Sequence, residues 1–210
     1  MTACGEAPAH DPVGGGVGRR LGPEKIAGMA ADYEFRTVWR VAGTAEEVRD
    51  VLADGPSLPR WWPAVYLCVD TLDEGDESGR GSEVVMVTKG WLPYTLRWTL
   101  RVTEPITDTG YALTASGDLV GTGRWTFEQD GPEVVIIYNW RVSAIKPLLR
   151  WLTWLLRPVF AANHRWAMAR GEESLRLELR RRRATSETER RRVPPPPPTT
   201  FRWLIGRQRA

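Results

Sequence analysis

Proton transfer, nucleophilic attack and metal ligation each need particular side chains, and this chain of 210 residues offers few of them. It has two histidines. His10 lies in a glycine-rich leader, so His164, with Asn163 beside it, is the one domain side chain whose ordinary pKa lies near neutrality. Tyr138, in an apolar stretch, is the second candidate for assisting a proton transfer; the competing reading of His164 is a helix-edge residue with one hydrogen bond. A serine hydrolase is excluded because no GxSxG occurs, and Cys68 has no neighbour that would activate a thiol. Cys68 and Cys4 show no CxxC spacing and no disulfide framework, which suits a reducing cytoplasm. Zinc would need more ligands than one domain histidine and one cysteine supply. The acidic run Asp70, Asp73, Glu74, Asp76 and Glu77 lacks the order of a calcium loop and reads as a solvated hairpin. Glycines 14–16, 18 and 22 follow no strand, so they are linker and not a nucleotide fingerprint. Neither metal nor cofactor is expected.

Binding is better represented than catalysis. Of eleven tryptophans, ten fall between residues 39 and 166, more large rings than one sheet needs for packing, so part of them should line a space. Trp98, Trp125 and Trp140 lead the set, followed by Trp62, Trp91 and Trp166, with Leu96 and Phe127 beside them; Trp39 is assigned to packing. Tyr94, Tyr138, Asn163 and His164 are the polar groups able to orient a ligand in a mostly apolar cavity.

These residues must be positioned by strands and one long helix. Tyr33 to Val41 is a β-rich run ending at Gly43, and Thr44-Ala-Glu-Glu47 is a capping box that opens a helix buried through Val48, Val51 and Leu52. Asp54-Gly-Pro56 stops it, and Ser57 to Pro63 reads as a short second helix. A six-strand meander follows over 64–72, 83–89, 94–104, 110–115, 119–129 and 133–143, with connections short enough to force antiparallel neighbours. Strand 94–104 alternates, with Tyr94, Leu96, Trp98, Leu100 and Val102 on its dry face. In strand 119–129, Gly121 and Gly123 share a face with Trp125 and Phe127, permitting a bend or leaving empty volume. Strand 133–143 is apolar at nearly every position up to Tyr138, so either parity could face inward; Ile136, Tyr138, Trp140 and Val142 is the preferred set. Helical spacing runs from Lys146 to about Arg182, with a kink or break expected near Trp154 from Pro158. One apolar sheet face needs a cover, and this helix is the only element long enough.

Charge divides the chain. Residues 32–179 hold 16 basic and 21 acidic side chains, a net of −5, whereas 180–210 hold 10 and 2, a net of +8. The domain is therefore a poor nucleic-acid binder, and any polyanion contact falls to the tail. Residues 1–31 read as a disordered leader without the apolar run of a signal peptide, Met29 being an alternative start; 32–182 form the domain; 183–210 read as a disordered, basic, proline-rich tail outside the fold. No transmembrane helix is predicted. Two segments suit peripheral membrane contact: Leu148–Leu156, more apolar than one buried face requires, and the 180–210 tail, where Trp203, Leu204 and Ile205 stand among arginines. A cytoplasmic, in part membrane-associated, location follows; oligomeric state is not legible.

The chain resembles the SRPBCC superfamily, the helix-grip fold of START lipid-transfer domains, birch-pollen-allergen-like proteins and polyketide cyclase/dehydrase-like proteins. The resemblance is carried by Tyr33–Val41, Thr44–Val48, Trp61-Trp-Pro63, Gly121–Phe127, Tyr138-Asn-Trp-Arg-Val142 and Asn163–Glu172, and covers about residues 32–182. It implies an α+β fold, about seven curved antiparallel strands around the C-terminal helix, with a cavity for a lipid, polyketide or quinone-like ligand. Three functions fit: binding or transport of a small hydrophobic molecule; a polyketide cyclase or aromatase acting through His164 or Tyr138; and a module whose helix-grip face binds a protein.

Overall fold

The computed structural model describes residues 33–144 and 153–200, with the backbone alone for 144 and 153–157. β1 (Tyr33–Ala42) leads into α1 (Ala45–Leu52) and, through a 3-10 turn at Gly55–Ser57, into α2 (Leu58–Trp61). Then come β2 (Tyr66–Asp73), β3 (Glu83–Lys89), β4 (Thr95–Val102), β5 (Gly110–Gly117), β6 (Leu119–Asp130) and β7 (Glu133–Ala144). α3 (Thr153–Arg183) and the short α4 (Glu187–Arg192) close the order. The sheet has seven strands in the order β1-β7-β6-β5-β4-β3-β2, every pair antiparallel. The meander therefore folds as the turn spacing implies, and β1 returns to pair with β7. With α3 laid across one face this is the helix-grip architecture.

Local signals carry the elements. The Thr44 hydroxyl accepts from the Glu47 amide at 3.2 Å while the Glu47 carboxylate accepts from the Thr44 amide at 2.9 Å, the reciprocal cap that starts α1. Val48, Val51 and Leu52 are its buried face. In β7 the inward residues are Val134, Ile136, Tyr138, Trp140 and Val142. α3 is continuous through Pro158, and its first turns supply the side chains that meet β1. The break expected near Trp154 is not found, the helix running unbroken from Thr153, whereas the expected start at Lys146 and part of the Leu148–Leu156 segment fall outside the described residues.

Three further expectations are corrected. Empty volume above Gly123 is not found: a side chain there would meet the Tyr138 hydroxyl at 2.7 Å and Leu113 at 2.9 Å, so neighbouring rings already fill it. Cys68 is disulfide-bonded, which removes it as a thiol and withdraws the support that unpaired cysteines lent to a reducing compartment; bridging depends on Cα approach in space, not on spacing in sequence. Residues 184–200 do not trail free of the domain. Ser186 caps α4, Arg181 donates to the Pro194 carbonyl at 3.0 Å, and Thr200 is held by Lys89.

Candidate functional site

The packing under the helix varies along two neighbouring strands. Along β7 the inward side chains are closed at the start, Val134 and Ile136 at 0–1% exposed, and looser beyond, with Tyr138, Trp140 and Val142 at 5–9%. β1 runs antiparallel to it and shows the mirror gradient: Val41 and Trp39 are sealed, Thr37 and Phe35 are half-buried, and Tyr33 retains some exposure. The sealed end lies under α1, α2 and the last turns of α3, where Leu175 and Leu179 are buried. The looser end lies under the first turns of α3, around Phe160, Asn163 and His164.

At the sealed end the aromatic rings spend their area on each other. Trp62 lies 5.4 Å from Trp61, 5.6 Å from Trp39 and 5.2 Å from Tyr66, centroid to centroid. It sits against Gly171 of α3, where a Cβ would be 2.3 Å from the indole. Trp125 links this group to the centre, 5.5 Å from Trp39 and stacked on Tyr138 at 4.0 Å. Trp62, Trp125 and Phe127 are in the packed core, the last against Tyr111, and Trp98, Tyr138 and Trp140 are buried in the same cluster. Trp61, which was not among the sequence-derived candidates, is fully buried there. The indole N–H groups of Trp61 and Trp62 and the hydroxyl of Ser174 have no hydrogen-bond partner, an uncommon cost for buried donors.

The looser end gathers most of the other candidates. Tyr138 and Trp140 stack at 5.7 Å, Trp140 meets Trp98 at 5.9 Å, and Trp98 Nε1 donates to the Thr88 hydroxyl at 2.9 Å. Leu96, on the same face of β4 as Trp98, and Trp166 of α3 are half-buried against the core. His164 stacks on Phe35 at 4.1 Å and places Nε2 3.4 Å from the Thr37 hydroxyl. Thr37 is the cross-strand partner of Tyr138, so two residues 26 apart in sequence reach adjacent positions through a third. Asn163 faces away from the rings and clasps the β3–β4 loop: its Oδ1 accepts from the Trp91 amide at 2.9 Å and the Leu92 amide at 3.4 Å. Trp91 is therefore a loop residue and half-buried, as is Tyr94. Phe35 and Thr37 were missed although they share the parity of Trp39 along β1.

Electrostatics limit what these groups can do. Burial, with the nearby Arg165 guanidinium, pushes His164 down to about 4, so its imidazole is neutral at physiological pH. Burial drives the Tyr138 phenol well above 10 and raises Tyr94 to about 12. The three can donate or accept hydrogen bonds while carrying no charge. No group of three or more His, Cys, Asp or Glu able to hold a metal occurs among the described residues. In the acidic run, Asp76 accepts from the Ser78 and Arg80 amides and closes the β2–β3 connection.

A hollow of about 900 Å³, open to solvent, lies on the face of the sheet opposite α3. Ala112, Thr114 and Thr122 floor it, and the ion pairs Arg141–Glu34 and Arg124–Glu104 stand at its rim. Its exposed lining is more apolar than polar, with the charged pairs confined to the rim. No helix among the described residues is long and apolar enough to cross a membrane.

The comparisons with known proteins agree with this geometry. None of the curated proteins matches the sequence. Among solved structures, the Zhui aromatase/cyclase from Streptomyces sp. R1128 superposes with a TM-score of 0.57 at 18% identity, over 74% of this chain and 98% of that one. TTHA0849 from Thermus thermophilus gives 0.55 at 15% identity over 68% and 97%. Ms6760 from Mycobacterium smegmatis gives 0.50 at 14% over 70% and 90%. At these identities the likeness concerns the fold. The sequence of residues 33–180 matches the family described as polyketide cyclase/dehydrase and lipid transport, and with about 70% of its length inside that match the chain belongs to this family.

Proposed function

We propose that the chain binds a small hydrophobic molecule at the looser end of the sheet–helix interface and carries it without altering it. The supporting observation is the gradient along β1 and β7, from fully sealed Val41, Trp39, Val134 and Ile136 to half-buried Phe35 and Thr37 and to Tyr138 and Trp140, buried at 6–9% exposed, beneath the start of α3. Trp98, Trp140, Leu96 and Trp166 supply apolar contact area, about 25 cal/mol per Å² buried. Tyr138, His164 and Thr37 orient a carbonyl or hydroxyl of the guest. Ligands of this kind include lipids, polyketides and quinones. Native mass spectrometry of the gently purified chain, followed by solvent extraction, tests the reading. A bound species recovered chemically unchanged supports it; no adduct, together with no uptake of the neutral apolar fluorophore N-phenyl-1-naphthylamine, refutes it.

A second reading, cyclisation of a polyketide in the same space, draws on the aromatase/cyclase among the similar structures. Neutral His164 and protonated Tyr138 would then hold a carbonyl in the reacting conformation. Turnover of a polyketide that is lost in His164→Ala while the fluorophore still binds would favour this reading over carriage.

A further inference from the structure

The β3–β4 loop at the looser end is gripped from two sides. On the inside, Gly90 has no side chain, and this lets the Asn163 amide of α3 approach to where a Cβ would be only 2.0 Å from its Oδ1. That oxygen takes the next two loop amides, of Trp91 and Leu92. On the outside, the Lys89 ammonium donates to the Thr200 carbonyl at 2.8 Å and to the Thr200 hydroxyl at 2.7 Å. The same hydroxyl lies 3.3 Å from the Gly90 carbonyl and 3.4 Å from that of Trp91. Lys89 is 4% exposed, so an ammonium has been taken out of water to make this contact.

Thr200 ends a strap that starts at the far, sealed end. Arg181, in the last turn of α3, holds the Pro194 carbonyl, and Pro194 to Pro198 follow. From Arg181 back to Asn163 is about 27 Å along a helix, and an extended proline-rich run from Val193 to Thr200 covers about 22 Å of that span. Five prolines keep the run stiff, so anchoring at both ends involves little loss of chain freedom.

We infer that residues 193–200 are a latch that holds the Gly90–Tyr94 loop closed against α3 and so gates entry to the looser end of the sheet–helix interface. The gating part rests on the ligand-binding reading above; the latching part does not. The latch joins an element distant in sequence to the loop beside Asn163.

The test uses the full chain, Lys89→Met, and a chain ending at Arg192. Stopped-flow mixing with N-phenyl-1-naphthylamine should show uptake and release both accelerated at least about tenfold in the two variants, with equilibrium affinity changed less than about threefold. Hydrogen–deuterium exchange of the peptide containing the Trp91 and Leu92 amides, without any probe, should speed up in both. Unaltered exchange at these amides overturns the latch. Faster exchange with unaltered probe kinetics overturns the gate. If no chain takes up the probe while exchange speeds up, the ligand-binding reading and the gate fall and the latch stands. Circular dichroism of Lys89→Met establishes that a changed rate does not come from unfolding.

Discussion

His164 gives a stability prediction whose sign and size follow from the structure. The imidazole is stacked on Phe35 and enclosed by the start of α3, and burial first, then Arg165, lowers its pKa from the ordinary 6.5 to about 4. The unfolded chain therefore binds a proton below pH 6.5 that the folded chain refuses until about pH 4. Stability is retained above pH 6.5 and is lost progressively between 6.5 and 4. Linkage at those two pKa values gives a loss of about 2.5 kcal/mol at pH 4.5 and about 1.4 kcal/mol at pH 5.5 relative to pH 7.5. His164→Phe keeps a ring on Phe35 and cannot titrate. Urea unfolding of both proteins at pH 7.5, 5.5 and 4.5 isolates the contribution, because the carboxylates are common to both and cancel in the difference. The wild type should lose about 2.5 kcal/mol more than the variant by pH 4.5. Parallel pH profiles would refute the reasoning, since they would mean that the imidazole protonates as readily folded as unfolded.

Three further outcomes are expected. Glu178 is 1% exposed; burial alone would raise its carboxyl, but hydrogen bonds and charge from Arg60, Arg182 and Arg181 outweigh it and hold it below the usual range. Glu178→Gln should cost about 2 kcal/mol in urea unfolding, against less than about 0.5 for Glu173→Gln, whose pair with Arg170 is exposed. Gly171→Ala should lower stability by about 1–2 kcal/mol, although alanine favours a helix, because its Cβ would press into the Trp62 ring at 2.3 Å. The same change in a Trp62→Leu background should become neutral or stabilising, as read from thermal melts. Ser174→Ala should raise the midpoint, by about 0.5–1.5 kcal/mol, because the hydroxyl is buried with no partner; a lower midpoint would mean that the group is satisfied.

The strands were legible because each carries its own period and its own turn. β3 spans the expected 83–89, and β7 exceeds its expected 133–143 by one residue, because the apolar run and the Asp130-Gly-Pro132 turn are local properties; which face of β7 points inward was settled only by packing, since Val134 to Tyr138 are apolar on both faces. The tryptophans were harder. Composition shows that there are many rings, but whether Trp62 lines a space or fills one depends on Gly171, a helix residue 109 positions later.

By itself the sequence determined the α+β class, the antiparallel meander, the capped first helix and the poverty of catalytic groups, all of which arise from neighbours within a few residues. The tertiary structure alone decided three things: which aromatics are buried and which, such as Phe35, Trp91 and Trp166, are half-buried, that His164 reaches Thr37 and hence the neighbourhood of Tyr138, and that a proline run expected to float is tied to Lys89. The physical reason is the same in each case. Burial, desolvation and hydrogen bonding act between groups brought together by chain reversal, and no local pattern in the sequence encodes which distant partner will arrive.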